Sequence, residues 1–229
     1  MLKKAYFGMQ CFWGESAFGK IDGVLNTRVG YAGGTTKNPT YTSIGDHTEV
    51  TELSFDESVV GYKELVHFFF DHHDSTVPHK AQYRSLILWT DEEQKKVAEA
   101  ILEDIKKQQK NVQTKVEKLD VFYEAEGYHQ KYWLQSQKRI VKELGLKESE
   151  LATSQLATKL NAFLAGYDRF DVLKDLAKKH NLSDSPRRSR DEHRAGGRRS
   201  PGVPLSLPTT HFNTRVFIPL VHTTLSIGR

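Results

Sequence analysis

A single cysteine in 229 residues, Cys11, sets the first limit on how this chain folds. One thiol closes no internal disulfide, so a small cross-linked scaffold is not open to it. The chain must hold itself together by burying apolar surface, and it is long enough to do so without staples. Cys11 follows an apolar, strand-like run, Ala5-Tyr6-Phe7-Gly8-Met9, and precedes a helix-like run, Glu15-Ser16-Ala17-Phe18-Gly19. A cysteine at such a junction can sit at a helix N-terminus, where the dipole and free N–H groups favour the thiolate, the nucleophilic form. On its spacing alone a lone cysteine is most often a small buried hydrophobe. The rings of Phe12 and Trp13 argue otherwise, because they suit the walls of a pocket for a small apolar group.

Length favours one domain, or one domain with a tail. An apolar fraction of 38% with 27% charged residues fits a soluble globular protein on the polar side of average. No apolar run approaches the ~20 residues that span a bilayer, so no membrane association is expected. Met1-Leu2-Lys3-Lys4 leads straight into the first strand and leaves no room for a targeting peptide, so a cytoplasmic location is expected. The net charge of +4 is unevenly spread: residues 183–229 carry eight arginines against three acids, a net +5, which leaves residues 1–182 at −1. The folded part therefore shows no electrostatic footprint for nucleic acid. Five of the seven prolines also lie beyond residue 183, and the expectation is a catalytic domain over 1–182 and a disordered basic tail over 183–229. That tail could serve nuclear entry; a solvated segment with no partner is the plainer use.

Strands are expected over 4–9 (buried on both faces), 24–31, 47–55, 82–90 and 116–122. Helices are expected from Gly14 to Lys20, Gly61 to His72 and Thr90 to Gln109, the last opened by a capping box from Thr90 to Glu93. Three more helical segments fall near 125–144, 148–165 and 169–180, with Gly166 closing the middle one. Interleaved strands and helices point to an α/β or α+β sheet covered by helices. The glycines of Ala32-Gly33-Gly34-Thr35 lack the lysine and helix start of a phosphate loop and serve close backbone approach instead. His67, His72, His73 and His79 lack ligand spacing, and no metal is expected.

Six motifs together carry a resemblance: Cys11-Phe12-Trp13-Gly14, Gly30-Tyr31-Ala32-Gly33-Gly34, Pro39-Thr40-Tyr41, Gly45-Asp46-His47-Thr48-Glu49-Val50, Gln82-Tyr83-Arg84-Ser85 and Tyr128-His129-Gln130-Lys131-Tyr132. In this order and spacing, across residues 4–135, the chain resembles methionine sulfoxide reductase A. Thr153 to Asn161 resembles the C-terminal helices of some animal members. The resemblance implies a two-layer α/β sandwich with a mixed sheet, followed by C-terminal helices. It implies reduction of the S epimer of methionine sulfoxide, free or in proteins. Cys11 would be the nucleophile that becomes a sulfenic acid, Glu49 the acid, Tyr41 and Tyr83 hydrogen-bond donors to the oxygen, and Phe12 and Trp13 the methyl pocket. Strand parity puts Glu52 on the face opposite Glu49, and the sequence alone does not say which carboxyl is buried.

The chain departs from the family pattern in three ways. It has no resolving cysteine, so reset of the sulfenic acid falls to an external thiol: thioredoxin, glutaredoxin or glutathione. Gln10 stands where the family usually has glycine. The loop before Gln82 is short and lacks the family's substrate-binding aspartate, a role not transferred to Asp74. His129 is expected to be structural or at the rim. No bound cofactor is expected, and the protein is expected to be a monomer. Two other functions stay open at this point: a binding module for oxidised methionine with little turnover, and a thiol peroxidase.

Overall fold

The computed structural model describes residues 1–9 and 11–166, with Cys11 given by its backbone. The expected helix near 169–180, the domain boundary at 182 and the basic tail lie outside the described residues. Six strands form one mixed sheet: β1 Leu2–Gly8, β2 Val24–Ala32, β3 Thr48–Asp56, β4 Leu86–Trp89, β5 Lys115–Lys118 and β6 Tyr123–Glu124. Their order is β5-β4-β1-β3-β2-β6; β4 and β5 run parallel and the other pairs are antiparallel. The helices are α1 Cys11–Gly19, α2 Tyr62–Asp71, α3 Glu92–Gln108, α4 Tyr132–Gln135, α5 Lys138–Leu144, α6 Glu148–Leu151 and α7 Gln155–Leu164. No helix among the described residues is long and apolar enough to cross a membrane.

Side chains alternate faces along a strand, so β1 and β3 feed two cores. Ala5, Phe7, Leu53 and Phe55 turn toward α1, α2 and α3, where they meet Phe18, Leu65, Phe69, Ile101 and Leu102. Phe7 stacks on Phe18 at 4.9 Å and on Phe69 at 5.4 Å between ring centroids. Tyr6, Val50, Leu86 and Leu88 face the other way and are covered by Leu119 and Phe122. Every residue of β3 from Thr48 to Phe55 is buried, polar ones included. This is the architecture the resemblance implies, with its principal helices layered on one face of a mixed sheet.

Several element boundaries differ from expectation. The strand expected from Gln82 starts only at Leu86; Ala81–Tyr83 is a 3₁₀ turn. Side chains, rather than a ladder, bind this turn: Thr48 Oγ1 donates to the Ala81 carbonyl at 2.9 Å, and the Arg84 guanidinium donates to Thr48 Oγ1 and to the Gly33 carbonyl. The cap of α3 is Asp91, one residue later than expected, and its Oδ1 accepts from the Gln94 amide at 2.9 Å. Ser154 interrupts the helix expected over 148–165 by capping α7, while Gly166, at φ +96, does close it.

The long helix expected over 125–144 is broken at several points: residues Gly127–His129 form a 3₁₀ turn, Lys131 adopts left-handed φ, ψ of 52 and 50, and Gln137, at φ, ψ of −97 and 70, parts α4 from α5. At Lys131 the cause is a buried ion pair. Lys131 Nζ donates to Glu15 Oε1 at 2.6 Å and to the Thr27 carbonyl, and the Lys131 amide donates to Glu15 Oε2 at 2.8 Å. Both side chains are fully buried. Beside them Gln130 pairs with β2 as a strand would, accepting from the Val29 amide and donating to the Val29 carbonyl. Replacing Lys131 by Met leaves Glu15 buried without its counter-ion, so urea unfolding of Lys131→Met should show a loss of about 3–5 kcal/mol.

Burial keeps the His73 imidazole below its ordinary pKa. Its Nδ1 faces the Phe69 carbonyl at 2.6 Å and must donate, so neutral Nε2 accepts from the Ser85 hydroxyl at 2.7 Å. The unfolded chain takes up this proton first as pH falls, so the contribution is complete above about pH 6.5 and is lost below it. Between pH 7.5 and pH 5.5 the urea midpoint should fall further for the wild type than for His73→Gln; equal falls would count against this assignment.

Candidate active site

Cys11 is the first residue of α1, three residues beyond the end of β1, one of the two middle strands of the sheet. The first turn of α1 carries no acidic residue, so nothing there cancels the positive end of the helix dipole. The turn rests closely on the sheet: a Cβ on Gly14 would lie 2.9 Å from Met9 Cγ and 3.2 Å from Thr51 Oγ1. The β1–β3 register pairs Tyr6 with Glu52 and Phe7 with Thr51. Continued by two residues, it sets Glu49 alongside Met9, two positions before Cys11. Glu49 shares its strand face with Thr51, so its carboxyl lies on the side where α1 begins.

Both glutamates of β3 are buried, Glu49 to 3% exposure and Glu52 to 2%. Burial therefore does not separate them; their partners do. Glu52 accepts from the Tyr6 hydroxyl at 2.8 Å, from Arg28 Nε at 2.8 Å and from Lys4 Nζ at 3.1 Å. Two cations and a phenol face it, and burial together with Glu52 pushes the Tyr6 phenol well above its ordinary pKa. Glu49 Oε1 instead accepts from the neutral amide of Gln82, Nε2 at 2.7 Å. Protonating Glu49 breaks no ion pair with Gln82.

Tyr83 follows Gln82 in the 3₁₀ turn that Thr48 and Arg84 fasten to the start of β3. Lys80 Nζ lies 5.1 Å from the centre of the Tyr83 ring. Tyr41 sits in the loop between β2 and β3, 41% exposed. Its contacts run to the segment after β6: its amide donates to Glu126 Oε1 at 3.0 Å and its ring lies 4.8 Å from His129. Glu126 Oε2 also accepts from the Tyr31 hydroxyl at 2.7 Å. Burial works to raise the Glu126 carboxyl, but these two bonds prevail and hold it below its ordinary pKa.

The loop that carries Tyr41 is tied down at both ends. The Asp46 carboxylate accepts the amides and hydroxyls of Thr35 and Thr36, first of all the Thr35 amide, which holds it far below the usual carboxylate range. His47 Nδ1 accepts from the Gly34 amide at 3.2 Å, so Nε2 carries the proton donated to the Thr36 carbonyl at 2.7 Å. The expected close approach at the glycines is present: a Cβ on Gly34 would lie 2.7 Å from the His47 amide nitrogen.

Phe12 and Trp13 belong to a larger aromatic group. Phe12 stacks on Tyr132 at 4.9 Å and meets Trp13 at 5.6 Å; Trp13 meets Trp133 edge-on at 5.5 Å. Trp13 and Tyr132 are each 47% exposed and form an open apolar surface beside the first turn of α1. Sequence reading missed Tyr132 and Trp133 as members of this surface. It also missed Glu15 and Lys131, which bring α4 to α1, and Gln82 as the partner of Glu49. A signal was present for one of them: a lysine among aromatics, inside a motif, is a candidate for a buried pair.

His129 is half-buried, its ring 4.3 Å from that of Tyr128. Asp74 is used locally, accepting from the amide and hydroxyl of Thr76. Gln10 lies outside the described residues. Among the described residues, no group of three or more histidines, cysteines or carboxylates is placed to hold a metal ion.

A family model described as peptide methionine sulfoxide reductase matches residues 3–160. A peptide methionine sulfoxide reductase of Drosophila melanogaster is 46% identical over 188 residues, covering 80% of this chain and 76% of its own. A peptide methionine sulfoxide reductase MsrA of Nautilia profundicola is 46% identical over 143 residues, covering 58% and 83%. Among solved structures, methionine sulfoxide reductase A of Corynebacterium diphtheriae matches with TM-score 0.56 at 31% identity, over 59% of this chain and 76% of that one. Reduced Mxr1 from Saccharomyces cerevisiae matches with TM-score 0.56 at 28% identity, over 60% and 87%. With its motifs, its sheet and these relatives in agreement, the chain belongs to the peptide methionine sulfoxide reductase family.

Proposed function

We infer that this chain reduces the S epimer of methionine sulfoxide, free or in proteins, to methionine, using Cys11 as nucleophile and Glu49 as proton donor. Glu49 carries the reading: a buried carboxyl with a neutral hydrogen-bond partner, set by register two positions from the one cysteine. The Cys11 thiolate attacks the sulfoxide sulfur while Glu49 protonates the departing oxygen. The oxygen passes to Cys11, leaving methionine and a cysteine sulfenic acid, and the two electrons come from the thiol. Tyr41 and Tyr83 supply uncharged donors to the oxygen in this scheme. Phe12 and Trp13, backed by Tyr132 and Trp133, take the S-methyl group.

Reset needs two thiols from outside the 229 residues. The first condenses with the sulfenic acid, releasing water and forming a mixed disulfide; the second displaces Cys11 as the free thiol. Thioredoxin, glutaredoxin and glutathione are the candidate donors. The same reading keeps the enzyme in the cytoplasm as a monomer, with a catalytic unit over residues 1–182 and a basic extension beyond it.

A single-turnover assay with stoichiometric reduced enzyme and each sulfoxide epimer tests the chemistry. One methionine per Cys11, formed from the S epimer alone, is expected, with none from Cys11→Ser and a rate at least about a hundredfold lower for Glu49→Gln. Binding of the sulfoxide without methionine formation would sink the reading in favour of a recognition module. Oxidation of Cys11 by hydroperoxides alone would favour a peroxidase. In multiple turnover, a small dithiol should sustain a faster rate than thioredoxin, because the chain holds no second cysteine to pass on a disulfide. Equal rates would show that the reset does not suffer from this lack.

A further inference from the structure

We propose that Gln82 is the residue that positions the proton donor, acting through Glu49 and touching neither substrate nor sulfur. This proposal rests on the reading of Glu49 as the acid.

The argument begins with what a buried carboxyl needs in order to give a proton in one direction. A carboxyl has two oxygens, and in its neutral form either can carry the hydrogen. Gln82 Nε2 donates to Glu49 Oε1 at 2.7 Å. With that N–H aimed at Oε1, a hydrogen on the same oxygen would confront it, so the neutral acid carries its hydrogen on Oε2. The amide thereby selects one of two protonated forms and leaves one oxygen to serve the sulfoxide. A carboxyl without this anchor would spend part of its time with the hydrogen on the wrong oxygen or the side chain in the wrong rotamer.

The donor's charge matters as much as its place. A lysine or arginine in the place of Gln82 would favour the anion of Glu49; such partners, Arg28 and Lys4, meet Glu52 on the other face of the same strand. An amide orients the carboxyl without a charge that would trap its anion. Charged groups on the surrounding elements have their own engagements: Glu15 pairs with Lys131, Arg84 bonds to Thr48 and Gly33, and Lys80 lies over Tyr83.

The anchor is itself anchored. The turn holding Gln82 is fastened on both sides of that residue, by Thr48 to the Ala81 carbonyl and by Arg84 to Thr48 and the Gly33 carbonyl. Thr48 and Glu49 point to opposite faces of β3, so residues 81–84 grip the first two residues of the strand from both faces. Gln82 therefore does not drift relative to Glu49.

A double-mutant cycle on single-turnover rates separates this role from a merely structural one. Gln82→Met keeps length and removes the donor; Gln82→Asn keeps the amide but falls one methylene short. In the wild-type background each should slow methionine formation by about tenfold or more, with sulfoxide binding little changed. In the Glu49→Gln background each should change the rate less than about twofold, because the group it positions is gone. The same slowing in both backgrounds, or none in the first, would overturn the proposal. If Glu49→Gln alone leaves the rate intact, it is the reading of Glu49 as acid that fails.

Discussion

The fully buried contact between Glu15 and Lys131 is the constraint on which the site depends. Taking two charges out of water costs several kcal/mol per ion, and only close geometry with further hydrogen bonds offsets it. Here the carboxylate receives the lysine's ammonium and its backbone amide, and the Thr27 hydroxyl completes the set. To make both contacts Lys131 takes a left-handed backbone that ends any helix running through it. The next two residues, Tyr132 and Trp133, are thereby delivered to Phe12 and Trp13 at the opening turn of α1. One ion pair thus joins the segment after the sheet to the helix that begins with Cys11.

The sheet makes a second division of labour. Two glutamates three residues apart on β3 face opposite layers, are equally buried, and live in different electrostatic surroundings. Glu52 is neutralised by cations and knits β1, β2 and β3 together beneath Phe122. Glu49 has an amide for a partner and lies toward the cysteine. Neutral partners suit a group that must change protonation during a reaction; charged ones suit a group that must not. The side-chain partners set the two carboxyls apart, and burial by itself does not.

Much of the scaffold was legible in the residue pattern. Ala5-Tyr6-Phe7 reads as a strand covered on both faces because it is continuously apolar, and so it is. The α3 helix announces itself by the spacing of Ala98, Ile101 and Leu102. The reading failed where long-range side-chain bonds replace the local pattern. Gln82 to Arg84 looks like the start of a strand, but its polar groups are spent on Glu49, Thr48 and Gly33, and the ladder begins only at Leu86. Residues 125–144 have helical character, and one of the breaks in the run, at Lys131, is made by Glu15, more than a hundred positions earlier.

From its sequence alone this protein is bound to certain things: a fold without internal disulfides, one cysteine between a strand and a helix, a mixed α/β pattern, and six motifs that name its family. Those features are local, set by residue type and near-neighbour spacing. Tertiary structure alone decides that Glu49 meets an amide and Glu52 two cations, that Tyr132 and Trp133 complete the aromatic surface, and that Gln82 reaches Glu49. Each of these joins residues from separate elements, and their energies depend on distance and burial, which one-dimensional spacing does not contain.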